Sequence, residues 1–232
     1  MIINLHNSAG EKIRSVGDWL RLAPPKKKEK HWKPGRSAFE LAQAWVRTKC
    51  AEVPEAITRI LKGHPCTASL ALCEAIPEKR TRLDKFRGER RNHDLVAWGC
   101  TKDAVKILVG IEAKADESFG PLVSKVERTG RMKPGSNLCA RVDLLCQALF
   151  GRKCQDGLRT LRYQLLTGLA GTVIEAGDKE ASLAVFLVHE FATSLTTEKK
   201  LQGNSADSKA FVAALPCPTV GTAVEGRLIG PI

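Results

Sequence analysis

Aromatic residues are scarce in this chain: four Trp, seven Phe and one Tyr make up 5% of 232 residues. That is too few for a broad stacking platform of the kind that grips single-stranded nucleic acid. Long apolar runs are missing as well. The longest, around Ile107 to Ile111 and Leu183 to Val188, are strand-sized and well short of the roughly 18 residues that cross a bilayer. The first residues lack a basic stretch followed by an apolar one, so no secretory leader is expected. The eight cysteines contain no C-x-x-C pair, which removes the local scaffold of a structural zinc site. Several fall inside apolar stretches, where a free Cys acts as a small buried hydrophobe. The expectation is a cytoplasmic protein without disulfides. There is no G-x-S-x-G, and no Cys carries the flanks of a known nucleophile motif, so serine and cysteine hydrolases find no support. No internal repeat is visible.

Charge, by contrast, is abundant and uneven. Lys and Arg number 37 against 25 Asp and Glu, a formal net of +12. Residues 1–93 hold 20 basic and 10 acidic residues, whereas residues 94–232 hold 17 and 15. The excess gathers at Lys26, Lys27, Lys28, Lys30, Lys33 and Arg36, then at Arg80, Arg82, Lys85, Arg87, Arg90 and Arg91. A one-sided basic field is the footprint of a polyanion binder. An anionic membrane surface fits less well, because neither cluster lies on an amphipathic helical pattern.

Along the chain, short apolar pieces (Val16, Trp19, Leu20, Leu22) end in Pro24, Pro25 and the lysine run, so residues 1–35 read as a basic surface arm. Residues 36–232 read as one domain. Ser37 and Glu40 have the spacing of a capping box, followed by a helix to about Lys49 with Leu41, Ala42, Trp45 and Val46 on one face. Pro54 opens a second helix, Glu55 to Leu61. Ser69 to Ile76 is open between helix and strand. His93 to Gly99 and Val105 to Lys114 are apolar runs joined by a tight polar turn, a hairpin, and the second alternates with period two. After a Gly- and Lys-rich loop (120–135), Ala140 to Phe150 and Leu158 to Ala176 read as helices, the latter with Leu161, Leu165, Leu166, Leu169 and Val173 inward. Ser182 to Phe191 reads as a strand covered on both faces. Ser205 to Leu215 reads as a last helix, with one further strand expected at Gly226 to Ile229. This order indicates an α/β domain with a mixed sheet.

Asp94, Glu112 and Lys114 are the candidates for chemistry. Period two puts Glu112 and Lys114 on one face of their strand, about 7 Å apart. A hairpin turning near Thr101 to Lys102 places Asp94 opposite Gly110, one diagonal step from Glu112, with Gly110 leaving room for an ion and its waters. Two such carboxylates form a hard-oxygen site suited to Mg²⁺ or Mn²⁺. The metal would polarise a phosphodiester and supply hydroxide, and Lys114 would orient the water or neutralise developing charge. An exposed strand end whose Glu and Lys pair with each other would show the same spacing. His93 and Asp94 also match the core of helical HD phosphohydrolases, with His64 and Asp103 or Asp116 to complete it, but Leu95 to Gly99 reads as strand. His189 reads as a core or strand-end histidine.

The segments SAFELAQAW, NHDLVAWG, VGIEAKADESFG, LRYQLLTGLAGTVIEA and SLAVFLVHEF, in that order across residues 36 to 191, resemble the PD-(D/E)xK nuclease superfamily, and a bacterial and phage branch of it in particular. The resemblance implies a restriction-endonuclease-like core, a central mixed sheet in the order αβββαβ flanked by helices, with a basic N-terminal extension. One position departs from the pattern, since His93 stands where the superfamily has Pro. The resemblance implies that Asp94, Glu112 and the Ala113 carbonyl hold Mg²⁺ or Mn²⁺ and that Lys114 is catalytic. It also gives Glu40 the place of a further metal ligand, although the capping box explains Glu40 equally well. Gln164 corresponds weakly to an exonuclease Gln, with Arg162 as a phosphate contact. Lys27, Lys28, Lys33, Arg36, Arg87, Arg90 and Arg91 are expected along the nucleic acid. Glu78, Asp116 and Glu117 read more simply as solvated loop residues. The expected activity is hydrolysis of nucleic acid, DNA in preference to RNA, with no membrane partner and with dimerisation suited to double-strand cutting. The rival expectation is a catalytically silent module of the same fold that binds nucleic acid without cutting, or serves as an assembly subunit.

Overall fold

A computed structural model describes residues 2–26, 31–47, 50–88, 90–216 and 225–230. Its elements run β1 (Asn4–Leu5), α1 (Val16–Leu22), α2 (Ser37–Trp45), β2 (Val46–Arg47), β3 (Cys50–Ala51), α3 (Glu55–Lys62), β4 (Ala71–Thr81), β5 (Arg91–Cys100), β6 (Lys106–Lys114), α4 (Val123–Met132), α5 (Leu138–Phe150), α6 (Asp156–Arg159), α7 (Tyr163–Asp178), β7 (Leu183–Glu190) and α8 (Glu198–Ala214). A five-stranded mixed sheet, ordered β1-β4-β5-β6-β7, is the middle layer. β4, β5 and β6 form an antiparallel meander, while β1 and β7 join its two sides in parallel. Antiparallel neighbours need only short turns, but the parallel step from β6 to β7 needs a crossover, and α4 to α7 supply it.

The sheet is covered on both faces. Trp19, Leu41, Trp45, Ile57 and Leu61 from α1, α2 and α3 pack with Leu95, Ala97, Val109 and Ile111 on one side. Phe119, Val126, Val142, Leu165, Leu166 and Phe211 form the core beneath α4 to α8 on the other. β6 lies between, so every residue from Ile107 to Lys114 is buried. The alternation read in its sequence therefore does not separate core from solvent, and the polar residues of that strand are enclosed.

The surface arm expected over residues 1–35 is not what residues 2–26 form. Ile3, Leu5, Ile13 and Trp19 are buried in the main core, β1 adds a strand beside β4, and Ser15 caps α1 by accepting from the Asp18 N–H at 3.0 Å. The apolar pieces there are short in sequence, but they find the core through β1 and the two turns of α1. Lys27, Lys28 and Lys30 lie outside the described residues. Four further expectations change. Ser69 to Ile76 resolves as the start of β4. The loop over residues 120–135 contains α4. β7 is an edge strand and mostly half-buried, because among the described residues no strand pairs with its outer side. Gly226 to Ile229 forms no strand.

α7 lies very close to the sheet, and small residues permit it. A methyl at Gly168 would stand 2.5 Å from the Phe186 ring, and one at Gly110 would stand 2.1 Å from Thr172 Oγ1. Gly168, Gly171, Thr172 and Glu175 therefore make the inner face, while Val173, expected inward, is 50% exposed. Gly110 thus leaves no room for an ion: Thr172 fills it. Gly110→Ala should cost about 1–3 kcal/mol by overpacking, measured by chemical denaturation. Adding Thr172→Ala should restore part of it; no recovery would mean that the glycine is needed for another reason.

Candidate active site

The last ladder pair of β5 and β6 at this end of the sheet is Leu95 with Ile111, which places Asp94 opposite Glu112. The expected pairing of Asp94 with Gly110 is thus shifted by two residues. A shift of two preserves the face, and the loop from Thr101 to Val105 accounts for it, closed by the Thr101 N–H on the Val105 carbonyl at 2.9 Å. Beyond Leu95 the strands part. Asp94 fills the gap with its own side chain, Oδ2 accepting from the Ala113 N–H at 2.7 Å.

The pleat breaks at the same level. Val96 packs with Ala176 of α7, and His93, three residues away, lies against Gly171 of the same helix. An odd spacing on one face violates period two. β4 does likewise: Ala75 joins the core under α1 to α3, yet Lys79, four residues on, faces Glu175 of α7 at 3.6 Å. Between the pairs Pro77–Leu95 and Lys79–His93 stand Glu78 and Asp94, and Glu78 has a left-handed backbone, φ +52°.

Glu112, 1% exposed, is the hub. Its Oε1 accepts from Lys114 Nζ at 2.6 Å and from Gln164 Nε2 at 2.5 Å, and its Oε2 accepts from Arg91. Burial alone would push the Glu112 carboxyl up, but Arg91 and Lys114 outweigh it and hold the group below its ordinary value. Lys114 answers in kind: burial opposes its charge, Glu112 and Asp94 overcome that, and the ammonium is held above its usual value. A lysine so held is a fixed cation, not a base. Asp94 is pushed up to about 7 by desolvation and by the Glu112 charge. Glu78, held by the Asn92 amide, is pushed up to about 8 by desolvation and by Asp94.

The structure therefore brings Asp94, Glu112, Ala113, Lys114 and Gln164 together. Gln164 is tied at both ends, its Oε1 accepting from the Gly120 N–H at 3.1 Å. The Ala113 carbonyl is occupied by Lys114 Nζ at 3.1 Å. Glu40 is elsewhere engaged: Ser37 is already helical, no side chain caps α2, and Glu40 Oε1 accepts from the Gly35 N–H at 2.7 Å. The expected capping box between Ser37 and Glu40 does not form; Glu40 holds the Gly35 backbone instead. Arg91, expected on nucleic acid, is an internal partner of Glu112 with its side chain 8% exposed. Arg36 pairs with Asp116 at 2.6 Å, so Asp116 is buried rather than solvated. Arg162 binds Asp207 at 2.8 Å and the Gly120 carbonyl at 3.0 Å. Lys33, Arg87 and Arg90 are exposed. His93 is fully buried on a strand without a hydrogen-bond partner, and burial together with Arg91 holds it neutral, down to about 3. A helical phosphohydrolase site centred on His93 and Asp94 is excluded by that strand.

Two features had no clear trace in the sequence. Glu78 reads as a loop residue after Pro77 because its left-handed backbone has no residue-type signature. The basic loop between β4 and β5 carries a buried anchor: Arg141 of α5 forks onto Asp84, its NH2 at 3.1 Å from Oδ1, while the Phe86 N–H reaches the same oxygen at 2.8 Å. The Asp84 side chain is 1% exposed. Arg82, Lys85, Arg87 and Arg90 stand out from the loop so held. Arg141→Ala should cost about 3–5 kcal/mol by leaving Asp84 buried and unpaired, read from a denaturation midpoint. A loss much below that would show that Asp84 escapes to water.

Among the described residues no group of three or more His, Cys, Asp or Glu side chains is disposed to hold a metal ion. The donor chemistry nevertheless fits a hard divalent cation. Asp94 and Glu78 are both raised by burial, Asp94 further by the Glu112 charge and Glu78 further by the Asp94 charge, and among the described residues neither forms an ion pair. Residues 12–231 match the family described as Domain of unknown function (DUF6946), and the chain belongs to that family. No curated protein and no solved structure matches it.

Proposed function

We propose that the protein is a metal-dependent nuclease that hydrolyses phosphodiester bonds, with DNA as substrate, Mg²⁺ or Mn²⁺ as cofactor and a restriction-endonuclease-like core. The observation that carries this reading is the meeting of Asp94, Glu112 and Lys114 where β5 and β6 part, with Gln164 of α7 fixing Glu112. The order α2, β4, β5, β6, α7, β7 supports it, because it runs αβββαβ as in that superfamily. Asp94 and Glu112 would hold the ion, which when bound polarises the phosphodiester and lowers the pKa of a water. Lys114, fixed as a cation, would sit beside the phosphate as negative charge develops there. The loop anchored by Asp84 and Arg141 would present Arg82, Lys85, Arg87 and Arg90 to the backbone, contacts that position without reading sequence.

One observation favours the second reading, a module that binds without cutting: Arg91 and Lys114 already neutralise Glu112 without a metal. The experiment is cleavage of supercoiled, linear duplex and single-stranded DNA with Mg²⁺, Mn²⁺ or EDTA. Metal-dependent cutting establishes the nuclease and its preferred substrate. Salt-sensitive binding with no cutting under any metal establishes the module instead.

A further inference from the structure

Glu78 has no task in the reading above, yet the fold takes trouble to place it. Its left-handed backbone lies inside β4, where a residue with a Cβ is unfavourable and persists only if its surroundings over-determine it. The result is specific. The break in the pleat brings Glu78 level with Asp94, between the pairs Pro77–Leu95 and Lys79–His93. Its carboxylate accepts from Asn92, a neutral partner, and among the described residues no Lys or Arg forms an ion pair with it. A half-buried carboxylate turned toward another carboxylate makes sense where a cation is to be shared.

A second sign of a missing ligand comes from the opposite charge. Arg91, with its side chain 8% exposed, puts Nη2 on Glu112 but leaves Nε buried with no hydrogen-bond partner among the described residues. Buried donors are rarely left so. An acceptor is missing there, beside the Glu112 carboxylate that Arg91 already holds, and an oxygen carried by a cation at Asp94 and Glu78 would supply it.

We propose that Glu78 holds the divalent cation jointly with Asp94, in the place that the resemblance assigned to Glu40. This rests on the metal-dependent reading of the same site. The test is calorimetric titration of Mn²⁺ into the full chain, without nucleic acid, for wild type, Glu78→Gln, Glu78→Gly and Glu40→Gln, alongside wild-type plasmid cleavage. Glu78→Gln keeps the side-chain shape, and Glu78→Gly relieves the left-handed backbone, so at least one variant should melt like wild type. Both Glu78 variants should lose Mn²⁺ affinity by about tenfold or more, and Glu40→Gln should match wild type. Wild-type affinity in a folded Glu78 variant overturns the assignment and leaves metal-dependent cleavage standing. A wild type that neither binds Mn²⁺ nor cuts DNA overturns both.

Discussion

Plasmid cleavage should fall on the order of 10³-fold in Asp94→Asn and in Lys114→Ala, with opposite effects on stability. A bound metal, or a cation fixed beside the phosphate, is worth several kcal/mol of transition-state charge stabilisation, and 1.36 kcal/mol is a factor of ten in rate. Asn at position 94 retains an oxygen for the Ala113 N–H and removes a negative charge from beside Glu112 and Glu78. That variant should melt no lower than wild type. Ala at position 114 leaves Glu112, 1% exposed, with Arg91 and Gln164 alone. Breaking a buried pair costs about 3–5 kcal/mol; with two partners left, the cost should lie near the lower end. Both variants should bind DNA as wild type does at moderate salt, since no exposed basic residue is touched. Cleavage by Asp94→Asn at the wild-type rate would sink the nuclease reading.

The parts legible in the sequence were those set by local pattern. The strand period of residues 105–114 is strong enough to place Glu112 and Lys114 on one face, and β6 carries them there. The hairpin was legible as a hairpin, but its register depends on whether three or five residues turn the chain, and the loop from Thr101 to Val105 has no signature to decide it. Being wrong by two was harmless, whereas being wrong by one would have turned Asp94 to the other face. Residues set by tertiary context were not legible. Arg91 sits in a basic run and looks like a phosphate contact, yet the proximity of Glu112, 21 residues away, recruits it. Glu40 has two spacings that suit it, and neither announces its contact with the Gly35 N–H, a backbone partner outside α2. The N-terminal 26 residues lack periodicity because β1 is two residues long and α1 seven, too short for pattern to register.

The metal-free protein should lose several degrees of melting temperature between pH 6.5 and pH 8. Asp94 and Glu78 have folded values raised to about 7 and about 8, from ordinary values of 3.8 and 4.5. Raised acids hold protons in the folded state that the unfolded chain has released. Their contribution to stability is complete below the unfolded values and is lost as pH rises through the folded ones. His93 and His189 work the other way, lowered by burial to about 3 and about 4 from 6.5. Their contribution is present above 6.5 and lost as pH falls, and Glu112, held below its ordinary 4.5, adds to that loss on the acid side. Among the groups that folding shifts, only the two raised carboxylates change state between pH 6.5 and 8, so the alkaline decline belongs to them. Asp94→Asn combined with Glu78→Gln should flatten it. Mn²⁺ should reverse it in the wild type, because a cation binds the deprotonated pair and does so better as pH rises. A melting temperature that still falls between pH 6.5 and 8 in the double variant would place the decline elsewhere, and one that ignores Mn²⁺ in the wild type would remove the cation from between these two carboxylates.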